Sequence, residues 1–374
     1  MSGVALPRLN PAGELRPLVP VALAGLEKMQ DPSGLFSHKS LLEPQGTFVN
    51  RGVDPLYTAA CAVGLHSCGE TRRSPHTHRA ARALDALLDR ERERDPAVLG
   101  TTLWGCALAG DERAPQVAQR LIGSLQPRQS SSMRLGLALT GLARWLAVGD
   151  AAAAVAPATR TVAAELERRF VARAHVFAAT ARPPSRNPLL HRLTSFASQV
   201  YPVLGLCELA LATGTEPPSA VGRVCDFLAE AQGDRGQWWW FYSTTKRRVM
   251  EGYPVYSVHQ DAMAPMALLS AGRVGVGDYA RPLIRGIRWV GGDNELAQSM
   301  VDPRAGLIYR AIQRAGGDAD GFAGWSRAQR WSVYRGALAG RPAGPARELE
   351  MLRESRSYHL GWLLVAAGMA REAA

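Results

Sequence analysis

The chain has 374 residues, 47% hydrophobic and 21% charged, which allows one large buried core and argues against disorder. Its longest apolar runs, such as Leu360 to Met369, fall well short of the ~20 residues that cross a bilayer, so no membrane span is expected. The net charge of +11, carried mostly by Arg, suits an anionic small-molecule or glycoconjugate partner; with no recognisable nucleic-acid module and no long Lys/Arg run, no nucleic-acid partner is expected.

Met1 to Pro20 carries Pro, Arg and Glu but no apolar leader, which predicts a cytoplasmic protein whose first 18 residues are loosely ordered. From there on, helical patterns of two kinds alternate. The amphipathic kind is seen at His78 to Arg92, where Ala81, Leu84, Leu87 and Leu88 share one face. Val162, Leu166 and Phe170 form a second such stripe, and Val221, Val224 and Leu228 a third. The other kind is apolar almost all round and rich in Ala and Gly. It recurs at Thr58 to Leu65, Thr102 to Ala109, Leu135 to Val148, Val200 to Ala212, Ala262 to Ala271 and Leu360 to Met369. A helix apolar on every side must be buried on every side. Half-buried helices alternating with fully buried ones predict an all-α fold, an α/α toroid of about five to seven helix pairs in two concentric rings, spanning 1–374 as a single domain. Strand signals are weak throughout. Cys61, Cys106 and Cys207 fall inside the apolar runs and read as core thiols in a reducing compartment. With no Cys-x-x-Cys pair and no standard ligand spacing around Cys61, His66 and Cys68, neither a metal nor a cofactor is expected.

The joints between helices carry a second repeat. Leu26 to Phe36 reads LEKMQDPSGLF and Leu228 to Trp238 reads LAEAQGDRGQW. Both place Gln four residues after Leu, then Gly, then an aromatic. The Gln can bond the end of the outer helix, the Gly permits a turn with positive φ, and the aromatic covers the joint. In these joints the chain resembles the terpenoid cyclase and protein prenyltransferase superfamily of α/α toroids, whose repeats carry a similar Gln…Gly-x-Trp element. That resemblance implies the toroidal fold. The acid motif Asp-x-Asp-Asp of such cyclases is missing; the nearest approach, Asp318-Ala319-Asp320-Gly321, reads as a turn. The residue types at the expected cavity mouth are also similar to those of carbohydrate-active α/α toroids, which include lyases, epimerases and hydrolases.

The densest candidate region runs from Gln237 to Leu269. Trp238, Trp239, Trp240, Phe241 and Tyr242 are consecutive, and no helix or strand can bury all five on one face. Aromatic faces stack on sugars and steady cations, so Trp239, Trp240 and Tyr242 are candidate substrate contacts. Glu251, Tyr253, Tyr256, His259, Gln260 and Asp261 follow, just before an inner helix with Pro265 in its first turn. Other inner-helix starts add Asp54, Tyr57, Arg134, Gln199, Tyr201, Arg356, Tyr358 and His359 to the same rim. Glu295 offers a second carboxylate and Arg310 an anion clamp. The basic cluster Lys246-Arg247-Arg248 either flanks the site or tips a solvated loop.

Three functions are compatible with this pattern. The favoured one is an intracellular, biosynthetic enzyme of lyase or epimerase type acting on an acidic sugar. In it Tyr256 and His259 exchange protons, Asp261 or Glu295 orients them, and an Arg holds the sugar carboxylate. Tyr253, Gln260, Tyr57, Arg134, Tyr358 and His359 are assigned to substrate binding alongside the tryptophans. The second is a terpenoid cyclase-like or prenyl-binding enzyme, which requires a deep apolar cavity with one isolated acid. The third is a non-catalytic toroid, which requires a filled central hole.

Overall fold

A computed structural model describes residues 9–43, 45–68, 74–148, 152–181, 191–316 and 348–373. A short helix, α1 (Pro11–Leu15), opens the chain and is followed by α2 (Val19–Met29), α3 (Pro55–Cys68), α4 (Pro75–Leu88) and α5 (Pro96–Ala109). Next come α6 (Ala114–Ser124), α7 (Ser132–Leu146), α8 (Ala152–Arg168), α9 (Ala197–Thr213) and α10 (Ser219–Glu230). The last are α11 (Ala264–Arg273), α12 (Ala280–Gly291) and α13 (Ser357–Ala373). The odd-numbered helices from α3 onward pack each on the next, and α13 packs back on α3, so they close a ring of six. The even-numbered helices form the outer ring: α4 on α3, α6 on α5, α8 on α7, α10 on α9, α12 at the start of α11, and α2 on α13. The described residues thus build a toroid of six helix pairs.

Side-chain patterning explains the division. In α5 every residue from Pro96 to Cys106 is buried, whereas α4 buries only Ala80, Ala83, Leu84 and Leu87. α5 and α9 each stop at a left-handed glycine, Gly110 and Gly214, both with φ of 65°. Ring closure depends on small residues. A Cβ placed on Gly64 of α3 would lie 2.2 Å from the carbonyl oxygen of Gly361 in α13. Gly64→Ala is therefore expected to push apart the helices that close the ring. A loss of about 1–3 kcal/mol in a urea unfolding titration would match this overpacking.

The repeated joint has the same hydrogen bonding in both copies. Gln30 Nε2 donates to the Gly34 carbonyl at 3.0 Å and to the Arg79 carbonyl at 2.9 Å. Gln232 Nε2 donates to the Gly236 carbonyl at 2.9 Å and to the Pro282 carbonyl at 2.8 Å. Gly34 and Gly236 have φ of 92° and 93°, and Phe36 and Trp238 are fully buried. Each Gln thus ties its own turn to the next outer helix, α4 or α12, and so sets the spacing of neighbouring pairs.

One expectation needs correction. Residues 11–18 are helical, because Leu15 and Leu18 are buried and α1 packs on α12 and α13; residues 1–8 lie outside the described set, as does the Asp318–Gly321 turn. Five small sheets among the described residues accompany the helices, consistent with the expected all-α toroid. Apart from Ser37–Leu42 and Phe48–Val53, their strands are two to four residues long, too short to show a clear period-two pattern in sequence. All of them lie in the connections from an outer helix to the following inner one, so the N-terminal end of the inner ring is the elaborated end. No helix among the described residues is long and apolar enough to cross a membrane.

Candidate functional site

At that end the inner ring encloses a cavity of about 290 Å³. The helices contribute Tyr57 from α3, Met133 from α7, Tyr201 from α9, and Tyr358 and Trp362 from α13. His259 comes from a π-helical turn, His259–Met263, that leads into α11. The joints supply Trp240, Tyr256 and Arg310. Strand Val255–Tyr256 pairs antiparallel with Ala311–Arg314, bringing Tyr256 opposite Ala311 and next to Arg310. The backbone N–H of Ser257 donates to the Arg310 carbonyl at 2.9 Å, and the Arg310 N–H donates to the Glu354 carbonyl at 2.7 Å. The Arg310 guanidinium lies 5.4 Å from the Tyr256 ring centroid, and the Tyr256 and His259 rings meet edge-on at 5.2 Å.

Protonation divides the lining by role. His259 is only 5% exposed, and its Nδ1 has no hydrogen-bond partner. Burial pushes its pKa down to about 3; a hydrogen bond with the Trp238 backbone opposes this and the nearby His359 adds to it. The imidazole is therefore neutral. Tyr256 is pushed up to about 12 by burial, with Arg310 opposing, so it keeps its proton. Burial also raises Tyr57, Tyr201 and Tyr358. At the mouth one buried carboxylate, Glu354, serves three cations: Lys39, Arg310 and Arg356. Burial alone would raise its pKa, but the three cations outweigh that and hold it down. The cluster is left with a net positive charge. His38 joins it, stacked on Tyr57 at 5.1 Å and hydrogen-bonded with Arg356 Nη1.

Of the residues singled out in sequence as site candidates, Tyr57, Tyr201, Trp240, Tyr256, His259, Arg310 and Tyr358 meet at this cavity, and Arg356 joins the cluster at its mouth. The others lie elsewhere, for identifiable reasons. Asp261 is fully buried and accepts from His359 Nε2 at 2.7 Å, which clamps the π turn to α13. Gln260 accepts from the Trp238 N–H at 3.0 Å and donates to the Tyr256 carbonyl at 3.1 Å, locking the joint. Glu295 accepts from Gln237 Nε2 at 3.0 Å, from the Tyr253 hydroxyl at 2.8 Å and from Trp289 Nε1 at 2.7 Å. It fastens the loop that leads to Tyr256 and does not reach the cavity. Trp239 donates through Nε1 to the Ala231 carbonyl at 2.8 Å and packs edge-on against Tyr253. Tyr242 is fully buried against Phe227. Arg134 pairs with Asp95 on the half-exposed start of α7. Arg247 pairs with Glu230 and lies over Phe227, which puts the basic cluster at a hairpin tip on α10. His76 and His78 belong to α4.

The Asp261–His359 pair has a measurable consequence. Removing one partner of a buried pair strands the other. Asp261→Ala is expected to lower unfolding stability by about 1–3 kcal/mol in chemical denaturation, the cost of leaving the buried His359 Nε2 without its partner, and more than an exposed ion pair such as Arg288 with Glu14 contributes.

Sequence reasoning missed Trp362 in the cavity wall, and His38, Lys39 and Glu354 at its mouth. The last three come together because Ser40 and Leu41 pair with Ser355 and Glu354 across most of the chain's length. A single sequence carries no signal for that pairing.

No protein-family model matches the sequence, and no curated protein matches it. Solved structures do match. The chain superposes on the cellobiose 2-epimerase from Bacillus thermoamylovorans with a TM-score of 0.66 at 10% identity, covering 96% of this chain and 99% of that one. An unsaturated glucuronyl hydrolase specific for heparin gives 0.62 at 12% identity, with coverage of 96% and 97%. A polysaccharide lyase gives 0.58 at 10% identity, with coverage of 96% and 98%. The fold is theirs. At such identities the likeness is one of architecture, and the chemistry must be argued from the cavity.

Proposed function

We propose that this chain is an enzyme that moves a proton at the carbon beside the carboxylate of an acidic sugar, by lyase or epimerase chemistry. One observation carries the reading: a buried, neutral His259 lines the same cavity as a protonated tyrosine and an arginine. Arg310 would hold the sugar carboxylate and steady the charge that develops there as the C–H bond breaks. His259 would take the proton. The bound anion would raise the imidazole pKa from its depressed value toward neutrality, where such a base works best. Tyr256, still protonated, would donate to the opposite face of the sugar or to the leaving oxygen. Trp240, edge-on to Tyr256 at 5.6 Å, would carry the ring. Asp261 and Glu295 would act at a distance, by holding the elements that present these groups.

Carbohydrate-active structural neighbours support the substrate class, and the net positive mouth supports an acidic substrate. Glycoside hydrolysis ordinarily needs two flanking carboxylates, and among the described residues no Asp or Glu lines the cavity. A prenyl substrate needs a deep apolar chamber, and this one is small and ringed by tyrosines. Thermal-shift screening separates the readings. A uronic acid at a hundred times its Kd is expected to stabilise the protein by about 2.7 kcal/mol. A response to prenyl diphosphates alone would contradict the proposal.

A further inference from the structure

The toroid's axis is not open from end to end. Tyr201 and Trp362 form the floor of the cavity, with ring centroids 6.3 Å apart. Directly behind, Trp362 stacks on Trp104 at 5.7 Å with an interplanar angle of 25°. Arg144 lies over the far side of this pair, 5.4 Å from the Trp104 ring centroid. Its guanidinium is held by Glu208, with Nε 2.8 Å and Nη2 2.9 Å from the carboxylate oxygens, and Ser270 also donates to Glu208 at 3.2 Å. Behind that layer a second cavity of about 350 Å³, lined by Trp104 and Arg144, opens on the opposite face of the ring. Two indoles and a half-buried ion pair thus separate the two chambers, and Trp104 and Trp362 are 2% and 1% exposed.

Among the described residues, the walls formed by α5, α7 and α9 are close-packed at floor level. A Cβ on Gly100 would lie 2.5 Å from the Cα of Ala138, and one on Gly136 would lie 2.4 Å from the carbonyl carbon of Tyr201. The helices there run backbone against backbone. A sugar that enters this cavity end-on has its leading end against Trp362 and only its trailing end free. A residue inside a polysaccharide is linked at both ends and needs two exits.

We infer that the site takes a free acidic sugar or the terminal residue of an acidic saccharide, never an internal residue, because the Trp362–Trp104 partition closes the cavity. This rests on the acidic-sugar reading above and adds to it which part of the polymer is bound.

The test is calorimetric titration of the full-length protein with a long-chain uronate polymer and with the same polymer cut to chains about tenfold shorter, at equal mass, with the monomeric uronate alongside. Chain ends are then about ten times more numerous while residues stay constant. The inference predicts that binding sites per gram rise about tenfold on shortening, or that only the monomer binds. Equal sites per gram at both lengths would overturn it and leave the acidic-sugar reading standing. No binding to monomer, short chains or long chains would overturn the acidic-sugar reading itself, and this inference with it.

Discussion

His259→Leu is expected to cut kcat by about 100- to 10,000-fold, the usual contribution of a general base, while leaving the melting temperature unchanged or raised. The second half of that result is the more telling. His259 Nδ1 is buried without a partner, which is a standing cost to the folded state. An apolar side chain of similar size removes the cost and still packs against Phe196, whose ring centroid lies 4.5 Å from the imidazole. A merely structural histidine would show the reverse, a loss of stability with activity falling only in proportion. The pH dependence follows from the same burial. The folded imidazole titrates at about 3 against an ordinary 6.5, so as pH falls the unfolded chain takes up the proton first. The stability tied to a neutral His259 is complete above 6.5 and is lost as pH falls from there toward 3, at up to about 1.4 kcal/mol per pH unit. The difference between His259→Leu and wild type, measured by urea unfolding across that window, should widen in favour of the variant as the pH drops.

Arg310→Leu is expected to raise KM for a carboxylated substrate by about 10- to 100-fold, the equivalent of one charge-assisted hydrogen-bonded contact, while a neutral sugar analogue binds as before. The fold should tolerate the change, because Glu354 keeps Lys39 and Arg356 when Arg310 is lost. Arg310→Lys retains the charge but not the planar fork, so an intermediate KM is expected. An equal loss for charged and neutral ligands would place Arg310 in the scaffold and remove it from substrate recognition.

Much of the architecture was legible because it rests on short-range rules. The all-round apolarity of α5 allows no position except inside a ring, and the matched Gln30 and Gln232 joints announce a repeat before any contact is known. The site was only half legible. Tyr256, His259 and Arg310 fell together as their types suggested, but Asp261 did not face the cavity. A helical reading already contained the reason: residues two apart on a helix point to roughly opposite sides, so His259 and Asp261 cannot share one target. Glu295 misled because a carboxylate near an aromatic-rich loop serves equally well as a clamp, and only its three donors reveal which. The cationic mouth was out of reach for a different reason. Glu354 meets Lys39 through strand pairing between distant parts of the chain, and Arg310 reaches the cavity through another such pairing.

The central claim is that a C–H bond beside a sugar carboxylate is broken at His259. It is tested most directly by incubating the protein with uronate saccharides in deuterated water and following that carbon by NMR and mass spectrometry. The account predicts that deuterium enters the carbon, as in an epimerase, or that the hydrogen is lost with formation of an unsaturated, ultraviolet-absorbing product, as in a lyase, and that neither occurs with His259→Leu. Cleavage of the glycosidic bond with that hydrogen fully retained would contradict it.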